Sequence, residues 1–438
     1  MKKLRVTGVR LLLLIVFNLV LFPVGGDWAW SASASADQIA GGAGSNQEPG
    51  AYQTPLAGEE RNVTFMGENI LIPARDRGQL TSLTVGGSLL EPGQGGTRVL
   101  PIAALFLRRV WEDARTRDTI SLFVNELEYD KSLGPLELVS HFENYTLPDD
   151  QTEVVDNREI KETSLTWGTL VGSFGPGLRL PVSPYQVDNH ARLQLLGRLG
   201  YFYADRTDET GPGLVVPSDT LLYGARLRGS YDGMRRNLLE LPHRGVASGW
   251  NLDYMHRDRW RDLTGATTGD RDRNYLQLSG YLVGAGGIPG FSERDRLLIA
   301  VYGGTTSEKG ADRFNAFRIN GGPFPSEEGD LGRPHYTGIL YDNVLATSYA
   351  TASLGYRREL LFFLYLTMVG SYLWADRATV EGVDQVVFRD KRGGAATASL
   401  DCAFFWNSSI YLAYSWESGF IRGGKPGSGI TLIWNKLF

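Results

Sequence analysis

Six arginines stand at spacings that would gather positive charge on one wall. Arg192 and Arg198 share one segment, Arg226 and Arg228 a second, and Arg257 and Arg357 fall in two more. An even spacing puts side chains on the same face of a strand. A guanidinium keeps its proton and offers five donors. A row of them either draws anionic solutes, as charged rings do in pores, or pairs with carboxylates. The candidate partners are Asp232, Asp253, Glu359 and Asp401. A polar interior is expected of any strand-walled lumen, which favours pairing, and the cationic wall stays open as the alternative.

Other chemistry finds little support. The histidines are His141, His190, His243, His256 and His335, and none shares a metal-ligand spacing with another or with Cys402, the single cysteine. A Ser–His hydrolase needs its nucleophile and base in contact. Ser248 shares a strand face with His256 but is too far along it to supply that contact. His141 lies in Ser140-His141-Phe142-Glu143-Asn144, where a period-two strand suffices. Gly284-Ala285-Gly286-Gly287 reads as a turn, not as a phosphate cradle or nucleophile elbow. No enzyme, metal or organic cofactor is therefore expected. Two mixed-charge runs, Arg257–Asp262 and Asp270–Arg273, read as solvated loop ends, with lipopolysaccharide phosphates as a lesser option. A net charge of −5 gives no reason to expect nucleic acid binding.

The elements that must carry these residues are strands. From Leu221, Tyr223, Ala225, Leu227, Gly229 and Tyr231 alternate with Gly224, Arg226, Arg228, Ser230 and Asp232. A helix would scatter the two sets around its circumference, whereas a strand separates them. Leu193, Leu195, Leu199, Tyr201 and Tyr203 likewise oppose Arg192, Gln194 and Arg198. Val246, Trp250, Leu252 and Tyr254 oppose Asn251, Asp253 and Arg257. Ala346, Ala350, Ala352, Leu354 and Tyr356 oppose Thr347, Thr351, Ser353 and Arg357. The chain holds 20 Tyr, 19 Phe and 10 Trp, yet its mean hydropathy is −0.19. Alternating lipid-facing and lumen-facing residues average the polarity in this way. The expected fold is all-β, a transmembrane antiparallel barrel of about sixteen strands over residues 79–438.

The N-terminus supports a membrane destination. Lys2, Lys3, Arg5 and Arg10 precede an apolar run from Leu11 to Phe22, broken only by Asn18, and Ala34-Ser35-Ala36 precedes Asp37. A basic start, short apolar core and small-x-small site make a signal peptide over residues 1–36, too short to span as a retained helix. A flexible periplasmic leader is expected over residues 37–78, rich in Gly, Ala, Ser, Gln and Pro. Expected surroundings are outer-membrane lipid and lipopolysaccharide of a Gram-negative bacterium. The last strand alternates Ile430, Leu432, Trp434, Lys436 and Phe438 against Thr431, Ile433, Asn435 and Leu437. Such an ending, with Trp434 and the final Phe438, resembles the signal read by the outer-membrane assembly machinery.

Residues 307–345 form a long insertion between two strands. It contains Phe317-Arg318-Ile319-Asn320-Gly321-Gly322-Pro323 and Gly332-Arg333-Pro334-His335-Tyr336-Thr337-Gly338, and five strand candidates follow, from Leu345, Leu361, Ala396, Ser409 and Gly429. This arrangement resembles the C-terminal barrel of the bacterial surface antigen superfamily, the outer-membrane assembly and secretion barrels, including those attached to patatin-like phospholipases. The resemblance covers roughly the last 130 residues. It implies a loop that enters the lumen after Arg318, Gly321 and Gly322. The family's Arg-Gly-Tyr tip is absent, with Arg333 and Tyr336 its nearest substitutes. The acids that hold that tip on the next two strands appear replaced by Gly355 and Met368. Loss of cation and acids together is self-consistent, since an unpaired buried acid is costly. The family's periplasmic polypeptide-transport-associated modules have no room before residue 80, and no patatin-type segment precedes the barrel. The resemblance implies transport or envelope biogenesis with a separate periplasmic partner. A passive diffusion pore with a cationic lumen and a non-conducting scaffold are the competing expectations.

Overall fold

The computed structural model describes residues 52–438 apart from 91–97, 123, 147–150, 156–157, 184–185, 261–272, 308–309, 327–329, 339–343, 382–384, 405–406 and 421–424. The signal peptide, the start of the leader and half of the residues of the two mixed-charge runs lie outside the described residues.

A hairpin of β1 (Arg61–Phe65) and β2 (Glu68–Ile72) comes first. The next seven strands are β3 (Gln79–Leu90), β4 (Arg98–Val110), β5 (Ala114–Ser121), β6 (Val124–Leu133), β7 (Leu136–Thr146), β8 (Gln151–Val155) and β9 (Arg158–Pro181). Then follow β10 (His190–Arg206), β11 (Thr220–Asp232), β12 (Arg235–Arg236), β13 (Pro242–Arg257), β14 (Asn274–Gly287) and β15 (Asp295–Thr306). Two short pieces, β16 (Phe317–Ile319) and β17 (Val344–Ala346), pair with each other. Five strands complete the chain: β18 (Ser348–Leu361), β19 (Leu364–Glu381), β20 (Gln385–Phe404), β21 (Ser408–Glu417) and β22 (Gly427–Leu437). The strands from β3 onward, apart from β16 and β17, close into one antiparallel barrel. With β8 prolonging β7 along β9 and β12 a two-residue adjunct of β13, the ring has 16 strands.

Closure is made by β22 against β3, from Gly429 opposite Leu90 to Leu437 opposite Ser82. The approach is tight at Gly86, where an added Cβ would fall 2.3 Å from the Leu432 carbonyl oxygen. Closing the sheet pairs every ladder group and leaves no edge, the condition for crossing lipid with strands. The start of β3 and the end of β22 lie at one mouth of the barrel, called here the terminal end.

The faces are inverted relative to a water-soluble protein. Leu199 is 64% exposed, Leu354 59% and Leu432 53%, whereas the inward Gln194 is 1% exposed. An apolar outer belt over a polar buried interior is what alternating strands give when the outer solvent is hydrocarbon. Described residues contain no helix long and apolar enough to cross a membrane.

Two expectations are corrected. Ala346 does not continue the alternation of β18; it belongs to β17, and the barrel strand starts at Ser348. The chain changes course at Thr347, whose hydroxyl donates to the Asp376 carbonyl oxygen at 3.1 Å. Residues 52–78 are more than a flexible leader. They carry the β1–β2 hairpin, and Leu56 bridges to Asn237 at the terminal mouth.

Candidate functional site

Carboxylates and guanidiniums meet inside the lumen, some from neighbouring strands and others from strands that share no ladder. Asp253 of β13 accepts from Arg198 of β10 at 2.6 Å and from Arg226 of β11 at 2.7 Å. Glu143 of β7 accepts from the same two arginines, from Arg226 at 3.0 Å. These four side chains are at most 13% exposed. A second cluster lies on β5, β6, β7, β10 and β11. Glu128 accepts from Arg115 at 3.0 Å, Arg192 at 3.1 Å and Arg228 at 2.9 Å. Asp130 accepts from Arg115 at 2.5 Å and Arg192 at 3.1 Å, and Glu137 takes the Gln194 amide at 2.7 Å. Bringing charges out of water is costly unless each is paired and hydrogen-bonded. Here each of these acids holds more than one donor, except that Glu137 stands 3.9 Å from Arg192.

The six arginines expected on the inner wall are thus engaged. Arg257 pairs with Asp312 at 2.5 Å and lies 3.7 Å from the Trp260 ring centroid. Arg357 donates to the Pro242 carbonyl oxygen at 2.7 Å and to Thr367 Oγ1 at 3.1 Å. Of the four expected acids, Asp253 alone forms an ion pair with these arginines among the described residues. Asp232 pairs with Arg236 at 2.7 Å and Glu359 accepts from Thr54 at 2.5 Å. Sequence reasoning missed Glu126, Glu128, Asp130, Glu137 and Glu143. Their even spacing on β6 and β7 was the available signal.

The described residues of the 307–345 loop lie inside the ring. Phe314 packs edge-on against Trp167, Phe202 and Trp260, with centroids 5.1 to 5.7 Å apart. Arg318 lies over Tyr145 at 5.5 Å and Trp167 at 5.2 Å. The Asn320 amide donates to the Pro334 carbonyl, and the Tyr336 amide to that of Asn320, both at 2.8 Å. Gly321 is buried, and Gly322 takes φ +95°, a conformation glycine supplies without a Cβ clash. Arg333 reaches Glu126 of β6 at 2.9 Å. Toward the opposite wall, Thr351 donates to the His335 carbonyl at 2.9 Å, Thr337 bonds Thr397, and the buried Tyr336 ring meets Phe420 at 6.1 Å. The loop therefore touches opposite walls at once. Its two tip substitutes diverge, Arg333 toward β6 and Tyr336 toward the β21 side. Gly355 faces inward, but Met368 is 51% exposed on the outer face and cannot stand in for an inward residue.

Two cavities flank the loop. One, of about 290 Å³, is bordered by Glu126, His141, Arg226, Arg318 and Arg333. The other, about 250 Å³, has an apolar lining that includes Ile102, Val124, Phe324, Tyr411 and Ile433. Neither gathers a metal-binding group of His, Cys, Asp and Glu among the described residues.

The terminal mouth carries a third cluster. Arg77 bonds Asp188 at 3.0 Å and Glu240 at 2.7 Å, Arg75 bonds Glu240, and Arg236 joins Asp188 to Asp232. These contacts pin residues 52–78 across the opening. Burial raises the Glu240 carboxyl, but Arg77, with its charge and hydrogen bonds, then Arg75 and Arg108, outweigh burial and leave it below its ordinary 4.5. A carboxylate depressed by folding stabilises the contact above its unfolded value, and that contribution is lost as pH falls through the folded value. Acidification below about 4.5 should therefore loosen this strap. Pepsin should cut within residues 52–78 faster at pH 3 in wild type than in a variant where Arg77–Glu240 is replaced by an apolar pair; equal rates would refute the linkage.

At the chain end, Trp434 is 40% and Phe438 68% exposed on the outer face, with Lys436 Nζ 5.5 Å from the Phe438 ring.

No family model matches this chain, and no curated protein matches it in sequence. Solved structures do. CdiB from Acinetobacter baumannii superposes with a TM-score of 0.50 at 10% identity, over 87% of this chain and 65% of that one. BamA from Haemophilus ducreyi lacking POTRA domains 1–3 gives 0.48 at 11%, over 87% and 75%. This chain thus spans just under two thirds of the CdiB chain. The CdiB likeness is one of fold: a closed, all-β barrel.

Proposed function

We propose that this chain is an outer-membrane barrel of the surface-antigen type that acts in transport or envelope biogenesis, its lumen closed at rest by the loop 307–345. The observation that carries the reading is the loop's double attachment, Arg333 to Glu126 on one wall and Thr337 to Thr397 on the other. A segment held on both sides obstructs the passage until those contacts are released. The terminal end faces the periplasm, where chain ends of such barrels lie, and phospholipid and lipopolysaccharide surround the belt. Trp434 and Phe438 serve as the assembly signal, and a separate periplasmic protein supplies the cargo or the trigger.

A passive anion pore fits less well, because Arg192, Arg198, Arg226 and Arg228 are each bound to carboxylates. Planar-bilayer recording of the full chain separates the closed lumen from the open pore. The expected trace is silent or briefly flickering; a steady anion-selective current of porin size would overturn the closed-lumen reading.

A further inference from the structure

The β1–β2 hairpin ends in a residue that its own fold does not explain. Its two-residue turn is Met66-Gly67, with φ of +51° and +86°. Tight hairpin turns of this kind favour Asn, Asp or Gly at both positions, because a side chain is strained at positive φ. Met66 is neither small nor polar, and it is 90% exposed. Backbone preference and burial both argue against methionine here, so the reason lies outside the chain.

The neighbourhood indicates what that is. Phe65, next to the turn, packs edge-on against Phe362 at 6.0 Å and Phe363 at 5.6 Å. Those two rings form the turn joining β18 to β19 at the terminal end. Directly above them the outer face continues through Leu360, 38% exposed, and Met368, 51% exposed, both part of the lipid-facing belt. On the hairpin, Ile70 is 36% and Leu71 55% exposed, while Val63 and Ile72 are buried at its base. Exposed apolar side chains therefore stand on the belt at Leu360 and Met368 and on the hairpin at Met66 and Leu71, with the packed rings of Phe65, Phe362 and Phe363 between them.

We propose that the tip of this hairpin, Met66 with Phe65, docks into the periplasmic leaflet of the membrane around the barrel, its occupant being phospholipid at the acyl–glycerol boundary. This rests on the membrane reading above and adds a second, non-spanning contact to it. A flexible thioether suits a disordered apolar surface. Anchored in this way, the hairpin holds residues 52–60 over the mouth from the lipid side.

The test uses the full chain in phosphatidylethanolamine–phosphatidylglycerol vesicles, with Cys402→Ser removing the native thiol. A nitroxide is placed at Met66→Cys, with Leu354→Cys as a mid-belt reference and Glu60→Cys as an aqueous one. Collision rates with oxygen and with a water-soluble nickel chelate are compared at each site. The expected result is a several-fold higher oxygen-to-nickel ratio at position 66 than at position 60, approaching that at 354. A ratio at 66 equal to that at 60 overturns the proposal. So does protection of 66 from both reagents, which would mean that protein covers the tip. A watery ratio at 354 would instead remove the membrane reading itself, and this proposal with it.

Discussion

Deleting residues 312–340 turns a quiet barrel into a conducting one. A ring of 16 strands is wide enough for an aqueous channel once its interior is cleared. The deleted stretch includes Phe314, Arg318, Phe324, Arg333 and Tyr336, the side chains that fill the space between opposite walls. The barrel itself should survive, because β15 and β18 pair directly from Asp295 opposite Arg358 to Thr305 opposite Ser348. Conductance should rise at least about tenfold, toward the range of open barrels of this size. The double variant Glu126→Gln with Thr397→Val should give a milder version, seen as longer flickers. A folded deletion variant, verified by its heat-dependent gel mobility, that stays silent would end the obstruction model.

The second large effect is on stability. Asp253→Leu takes away a carboxylate shared by Arg198 and Arg226, leaving two guanidiniums to Glu143 alone. Breaking a buried pair by removing one partner costs about 3–5 kcal/mol, because the remaining charge stays out of water. Replacing a whole pair with apolar groups of similar size is often close to neutral. Asp253→Leu should therefore lower the urea midpoint in detergent micelles markedly, and Arg226→Leu added to it should recover most of the loss. If the double variant proves no more stable than the single one, the four groups are not acting as one cluster.

The barrel was legible because its outer face obeys one rule over many strands. Leu193, Leu195 and Leu199, then Leu221 and Tyr223, then Leu432 and Trp434 recur at even spacing and lie on the outer surface. The lumen was read only in part. Arginines on strands with clean apolar partners were visible, whereas the acids that bind them sit on β6 and β7, where Glu126, Glu128 and Asp130 oppose Asn125, Leu127 and Tyr129. Their even spacing places the acids on one face, but only Leu127 and Tyr129 stand opposite as an apolar set, too short a run to have singled them out. Which acid meets which arginine depends on chords across a closed ring, and local spacing holds no information about chords. Asp232 was expected to serve the wall arginines and instead binds Arg236 at the mouth, a contact created by the return of the chain through β12. The strap over residues 52–78 was hidden for a related reason. Its Gly- and Ser-rich approach looks unstructured, but Arg75 and Arg77 find their partners more than a hundred residues away.

The salt bridges between β6, β7, β10, β11 and β13 act like tie-rods, setting the distance between strands that share no ladder. Around the closing pair, cohesion has another character: Ser82 with Asn435, Ser88 with Thr431 and Thr397 with Ser415 join strands that are already adjacent. A sideways load would consequently be shared unevenly, one arc behaving as a braced frame and the other as a hinged panel. Among the described residues, the ion-paired chords therefore brace the arc from β6 to β13 against changes of cross-section.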